Sequence, residues 1–224
     1  MTIRITLKST EPVTHDTHRL TFEKPEGFDF TPGQATDFAL DRDGWRDERR
    51  PFTFTSLPGD DHLEFTIKSY PDHDGVTKRI GQMAPGDTAL IGGPWGAIED
   101  RGEGVFIAGG AGVTPFIAIL RNKLARTGTL QGNTLVFSNR TDRDIILRQE
   151  FEAMPGLNCY WTVTDQPGSP LARGRIDAEL LSTLVVPGRD TCYICGPDPM
   201  IGAMQKALAA VGMPRARIVT EDFG

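Results

Sequence analysis

The hydrophobic pattern of this chain changes period near residue 101, and one uniform architecture cannot accommodate both periods. Before that point short segments alternate apolar and polar residues: Ile3-Arg4-Ile5-Thr6-Leu7, His18-Arg19-Leu20-Thr21-Phe22, residues 35–40, Leu63-Glu64-Phe65-Thr66-Ile67 and residues 88–91. A period of two puts one face of a segment in a core and the other in water, as in a half-buried strand. Pro32-Gly33, Pro58-Gly59-Asp60, Pro85-Gly86-Asp87 and Gly92-Gly93-Pro94 punctuate these segments. Short strands at this spacing predict an antiparallel sandwich or closed barrel, and a barrel of about six strands is expected. Beyond Arg101-Gly102-Glu103-Gly104 the pattern becomes strand, helix, strand, helix. Residues 105–108, 134–137, 158–163 and 192–195 read as strands, and residues 115–126, 148–154, 178–184 and 199–211 as helices. Continuously apolar strands alternating with helices predict a parallel sheet covered on both faces. The expected fold is a two-domain β plus α/β chain: an antiparallel six-stranded β-barrel over residues 1–100, then a parallel-sheet α/β unit over residues 101–224.

Each half has roughly the 100 residues needed to bury its own core. A formal net charge of -6 argues against nucleic acid as a main partner, since phosphate binding needs clustered Lys and Arg. No apolar run approaches the roughly 20 residues that cross a bilayer, and the first residues carry no signal-peptide core. The expectation is a cytoplasmic protein with no membrane span. The three cysteines, Cys159, Cys192 and Cys195, are too few for a disulfide framework or a four-cysteine iron-sulfur site. Cys192 and Cys195 form a C-x-x-C, but with no second pair and an apolar strand around them no metal site is expected.

Three segments carry chemistry. Gly109-Gly110-Ala111-Gly112-Val113-Thr114-Pro115 lies between a predicted strand and a predicted helix. In that context Gly110 and Gly112 let the backbone turn and approach a pyrophosphate, whose charge faces the amides of the new helix. Pro115 stands where the third glycine of G-x-G-x-x-G would be, a position suited to the first helical turn. The second half is thus expected to be a Rossmann-like nucleotide-binding domain, although a tight connection that binds nothing would read the same from this loop alone. The other segments are Arg50-Pro51-Phe52-Thr53 and Cys195-Gly196-Pro197, the latter at the C-terminal end of the last predicted parallel strand.

In identity and order these segments resemble the ferredoxin-NADP reductase superfamily, especially its flavodoxin reductase and oxygenase-reductase branches, over nearly the whole chain. The resemblance implies a flavin-binding barrel followed by a pyridine-nucleotide domain. It implies that Arg50 pairs with the flavin phosphate, that Phe52 lies against the isoalloxazine, that the Thr53 hydroxyl bonds its redox-active nitrogen, and that Pro51 belongs to the same cofactor-binding segment. Guanidinium suits phosphate, an aromatic face suits a flat ring, and a hydroxyl both donates and accepts. Alternation puts Arg50 and Phe52 on one face and Thr53 on the other, so the strand must bend or meet the ring edge-on. Tyr is the commoner family residue where Phe52 stands. Lys68, Ser69 and Tyr70 are implied ring or ribityl contacts. Gly75, Val76 and Thr77 are implied at a helix start that cradles a diphosphate, which favours FAD over FMN; a surface helix cap is the alternative. Gly110, Gly112, Thr114 and Pro115 would hold the dinucleotide, while Cys195, Gly196 and Pro197 would lie by the nicotinamide with Thr114. In the tail, Phe223 would cover the flavin and Glu221 assist protons, or the tail frays.

The implied function is hydride transfer from NAD(P)H to bound FAD, with Thr53, Cys195 and Glu221 as catalytic residues. Electrons then pass to a flavodoxin, a ferredoxin, an oxygenase component or a small-molecule acceptor. Asn139 and Arg140 close the second parallel strand, where NAD-selective sites place an acid and an Arg accommodates the extra phosphate, so the tilt is toward NADPH, although a solvated loop charge would explain Arg140 equally well. Arg42, Arg46, Arg49, Lys78 and Arg79 could together dock an acidic carrier, but Asp41, Asp43, Asp47 and Glu48 interrupt that patch, so a mixed solvated loop is expected there. A non-catalytic flavin-binding module, a flavin subunit of a larger electron-transfer complex and an α/β enzyme that uses NAD(P) without flavin are the competing readings.

Overall fold

The computed structural model describes residues 2–70, 72–171 and 174–221. The first half contains β1 (Ile3–Pro12), β2 (Thr17–Glu23), β3 (Ala35–Leu40), β4 (Arg50–Thr53), β5 (His62–Lys68), helix α1 (Val76–Ile80) and β6 (Thr88–Trp95). The strands form a six-stranded antiparallel sheet in the order β4, β3, β6, β1, β2, β5. A bridge between Phe54 and Phe65 joins the two ends, which closes the sheet into a barrel and removes its exposed edges. β1 runs further than its apolar segment. A bulge between Leu7 and Ser9 re-aims the strand, so Ile3 to Thr6 pair with β6 and Leu7 to Pro12 with β2. Leu20, Phe22, Phe38, Phe65 and Ile91 fill the interior, as the alternation predicts. Phe22 meets Phe38 and Phe65 edge-on at 5.8 and 5.9 Å, and each such pair contributes about 0.5–1.5 kcal/mol beyond burial.

The second half contains β7 (Gly104–Gly109), α2 (Thr114–Thr127), β8 (Asn133–Asn139), α3 (Arg148–Glu152), β9 (Asn158–Val163), α4 (Ala178–Leu184), β10 (Thr191–Cys195), α5 (Asp198–Ala210) and β11 (Ile218–Thr220). The strands form a parallel sheet in the order β11, β10, β7, β8, β9. Along β7, Phe106 and Ala108 enter the core under α2 while Val105 and Ile107 enter the core under α4 and α5. Both faces are therefore covered, as continuously apolar strands require. Helix α2 starts with Pro115 in its first turn and stops at Gly128, whose φ of 72° lets its amide reach the Leu124 carbonyl at 2.8 Å. The chain begins this sheet at β7, moves outward to β9, then returns to lay β10 on the other side of β7. The C-terminal ends of β7 and β10 thus flank a topological switch point, where open α/β sheets bind ligands.

The halves meet through close packing and through specific polar links. Gly33 has φ +102°, and a Cβ there would overlap the Ile98 carbonyl oxygen and come within 3.0 Å of Ile119 Cδ1 on α2. The Tyr193 hydroxyl accepts from the Arg101 amide at 2.8 Å and donates to the Gly102 carbonyl at 3.1 Å, which ties the connecting segment to the centre of the sheet. Among the described residues no helix is long and apolar enough to cross a membrane.

Candidate functional site

Alternation holds along β4 at the barrel rim. Phe52 and Phe54 pack toward the barrel core, so Thr53 between them faces the α/β half, where Thr114 Oγ1 stands 3.5 Å from Thr53 Oγ1. Thr114 is the first residue of α2 and also donates to the Ala111 carbonyl at 3.0 Å, which holds its side chain over the glycine loop. Phe52 is half-buried and meets Phe38 edge-on at 5.6 Å.

The glycine loop and the loop after β10 touch through backbone. A Cβ on Gly112 would overlap the Cys195 carbonyl oxygen and lie 2.6 Å from the Gly196 nitrogen. A Cβ on Gly109 would strike the Met200 sulfur, and Gly196 packs on the Gly109 backbone. Gly110 has φ +52° and open space beyond it. Three glycines therefore fit the two loops together, and Gly110 supplies the turn with an open face.

Cys195 is 4 % exposed and belongs to the core under α2. Burial, then the nearby Glu221 carboxylate, push its thiol up to about 12, against the opposing pull of the Gly196 amide. It is a neutral thiol at physiological pH, which suits pocket shaping and not nucleophilic attack. Cys192 enters the opposite core, so the two cysteines of the C-x-x-C lie on opposite faces of β10 and cannot hold one ion.

Asn139, the last residue of β8, is 5 % exposed, and neither its Oδ1 nor its Nδ2 has a hydrogen-bond partner among the described residues. An unsatisfied buried amide costs about 1–3 kcal/mol, a cost that a dinucleotide at this sheet edge would remove. Arg140 is exposed and paired with Asp165 at 3.0 Å, beyond the end of β9. The arginine expected to accommodate the extra phosphate of NADPH thus has a carboxylate partner at the surface.

On the flavin side, Arg50 is exposed and held by the Arg49 carbonyl at 2.7 Å and Glu48 at 3.3 Å, contacts that a phosphate can displace. Tyr70, two residues past the end of β5, is 46 % exposed, and its ring meets that of His73 edge-on at 6.4 Å. These residues fit a flat ring with a phosphate tail. Other expected contacts are already engaged. Lys68 ion-pairs with Asp16 at 2.9 Å and Asp144 at 3.2 Å, so its ammonium bridges the two halves. The Val76 side chain is buried in the barrel core, which leaves that residue its amide for ligand binding. Ser69 is buried, Pro51 is exposed and Thr77 is half-buried. Helix α1 starts at Gly75 with no side-chain cap. Both Glu221 oxygens are taken by the amides of Ala97 at 2.8 Å and Ile98 at 3.1 Å, which ties the end of the chain to the connector between sheets. Pro115 is buried in the first turn of α2. Gly196 and Pro197 lead from β10 into α5. Phe223 lies outside the described residues.

The basic patch is largely neutralised from within: Arg42 pairs with Asp87, Arg46 with Asp41 and Asp43, and Arg79 with Asp74. Sequence reasoning missed Arg121, Glu64 and Glu150, which meet between barrel and sheet. No local motif announces them, because each comes from a different element.

Residues 4–99 match the family model for the oxidoreductase FAD-binding domain, and residues 106–206 match that for the oxidoreductase NAD-binding domain. The reductase component of propane 2-monooxygenase from Rhodococcus jostii (strain RHA1) is 31% identical over 241 residues, covering 99% of this chain and 63% of that protein. NADH-cytochrome b5 reductase 2 from Mycosarcoma maydis is 29% identical, over 90% of this chain and 63% of its own length. The chain thus spans less than two thirds of the length of these curated relatives. Cytochrome P450 reductase GcoB from Amycolatopsis matches with a TM-score of 0.82 at 25% identity, covering 99% of this chain and 70% of that one. The two matched models together take in most of both sheets, β11 excepted, with the glycine loop and the Cys195 turn. This chain belongs to the ferredoxin reductase-like superfamily of FAD- and NAD-binding oxidoreductases.

Proposed function

We propose that the chain is an FAD-dependent NAD(P)H reductase that takes a hydride from reduced nicotinamide and passes electrons to a separate acceptor protein. The observation that carries this reading is the meeting of Thr53 and Thr114 at 3.5 Å, where the barrel strand and the helix after the glycine loop converge. In this reading residues 1–100 are the flavin domain and residues 101–224 the nicotinamide domain. FAD, when bound, accepts a hydride and can release its electrons singly. The protein's part is to bind and align. Arg50 neutralises a phosphate, the Val76 amide with the Thr77 hydroxyl supports the diphosphate, and Phe52, Ser69 and Tyr70 border the ring and its ribityl chain. Thr53 offers a hydroxyl at the ring edge. Gly110, Gly112 and the amides leading into α2 face the dinucleotide pyrophosphate, and Asn139 gives its unsatisfied amide to the same ligand. Cys195, Gly196 and Pro197 back the nicotinamide, and the neutral Cys195 thiol helps to exclude water. Hydride donor and acceptor then need to approach within roughly 3–3.5 Å.

NADH is the proposed donor, because Asp165 both neutralises Arg140 and would repel the extra phosphate of NADPH, and because a relative is named for NADH. An oxygenase component is the proposed acceptor class, from the name of the Rhodococcus relative. The test is NADH-dependent reduction of ferricyanide by FAD-loaded protein. Activity that requires both FAD and NADH supports the reading; ferricyanide reduction at the rate of free FAD overturns it.

A further inference from the structure

Thr114 and Arg121 are seven residues apart on α2, two turns of helix, and so lie on one side of it. Thr53 and Thr55 likewise share a side of their extended segment. Thr114 meets Thr53, and Arg121 meets Thr55. Arg121 Nη1 donates to the Thr55 carbonyl at 2.7 Å and to Glu64 Oε1 at 2.8 Å, while its Nε and Nη2 take both oxygens of Glu150 at 2.6 and 3.0 Å. The Thr55 hydroxyl donates to the same Glu64 oxygen at 2.8 Å. Arg19 on β2 lies 3.4 Å from Glu64 and 3.5 Å from Glu150. One guanidinium thus joins the segment that follows β4, strand β5, helix α2 and helix α3.

Glu64 is buried. Burial alone would raise its carboxyl, but Arg121, the Thr55 hydroxyl and Arg19 together hold it below its ordinary value. Burial works against the charge of Arg121 too, yet Glu150 and Glu64 hold its guanidinium above the usual range. Both partners stay ionised. Buried ion pairs add little net stability compared with apolar packing, but a planar fork held at four points fixes distance and orientation.

We propose that Arg121 is a positioning residue for the hydride step, an inference that rests on the flavin-reductase reading above. Its clamp on Thr55 and Glu64 sets where α2 lies against the barrel, and so sets the gap between Thr53 and Thr114 in which nicotinamide meets flavin. Lys at this position keeps the charge and loses the fork, which separates geometry from electrostatics.

The test compares Arg121→Lys and Glu150→Gln with the parent protein. In FAD-loaded protein, the readouts are single-turnover bleaching by NADH, NADH affinity and the long-wavelength charge-transfer absorption of the nicotinamide–flavin pair. In FAD-free protein, the readout is amide hydrogen exchange at residues 53–55 and 110–114. The expected result for Arg121→Lys is FAD content equal to the parent, NADH affinity within about twofold and bleaching slower by about 10- to 100-fold, the cost of a misplacement near 1 Å. Its charge-transfer absorption weakens, and exchange rises at both segments together. Glu150→Gln moves every readout the same way by less, and it decides the question should Arg121→Lys fail to fold. A folded, FAD-loaded variant with parental bleaching, charge-transfer absorption and exchange overturns the proposal. A parent that NADH does not bleach removes the reductase reading instead, and the exchange data still judge the clamp.

Discussion

At the scale of single residues, Gly112 is where one added carbon most disturbs the crevice. Its neighbours are the backbone atoms of Cys195 and Gly196, which cannot rotate away as a side chain would. Gly112→Ala should fold and take up FAD like the parent while its reduction by NADH falls by about 100-fold, because the glycine loop and the loop after β10 are pushed apart by roughly 1 Å. Stopped-flow bleaching measures this, and a parental rate would show that the loops can separate without consequence. The spacing of Gly110 and Gly112 was legible as a tight turn between strand and helix. That Gly112 packs on the Cys195 backbone was not, since the contact joins two loops through a sheet order that local sequence does not carry. Gly33 is a similar case: it reads as turn punctuation and acts as a point of contact between the halves.

At the scale of elements, the strands and helices with a clear period emerged close to their predicted bounds. β3 and β9 coincide with them, and α2 extends by one residue at each end. What periodicity could not show is short or rim-placed. β11 has three residues, too few for any period, and the second half of β1 is polar because it follows a bulge out of the interior. α3 stops at Glu152, short of the predicted Met154. The loops after β8 and β9 hold the least legible part of the site, the Arg140–Asp165 pair, which couples two loops that sequence shows separately. Asp165→Asn should shift selectivity from NADH toward NADPH by up to about fivefold, as expected from releasing a surface pair worth up to ~1 kcal/mol. Steady-state kinetics with both donors checks this, and an unchanged ratio would detach Arg140 from donor choice.

At the scale of the whole molecule, the two rhythms of the sequence correspond to the two sheets, because periodicity reports how many faces of a strand are buried. The links between the sheets were invisible, since Lys68, Asp16 and Asp144 acquire their relation from folding alone. For Asp16, burial raises the carboxyl but hydrogen bonds from Lys68 and Thr14 outweigh it; for Asp144, those from Thr141 and Lys68 do the same. Both titrate below 3.8, so the stability they contribute is present above that pH and is lost as pH falls through their folded values. Lys68 is held above 10.5 despite burial, so its share is present below that pH and is lost as pH rises further. Lys68→Met should lower Tm by about 2–4 °C between pH 5 and 9, and the difference should shrink toward acid. Melting curves across pH test this, and an equal difference at every pH would contradict a stabilising Lys68–Asp16–Asp144 link. The most direct measurement of the central claim is the anaerobic visible spectrum of FAD-loaded protein before and after adding NADH, then separately NADPH. The predicted result is loss of the oxidised-flavin absorption within one turnover, faster with NADH, and its return when an oxidised acceptor is supplied. A bound flavin that neither donor bleaches would contradict the assignment of this chain as a nicotinamide-driven flavin reductase.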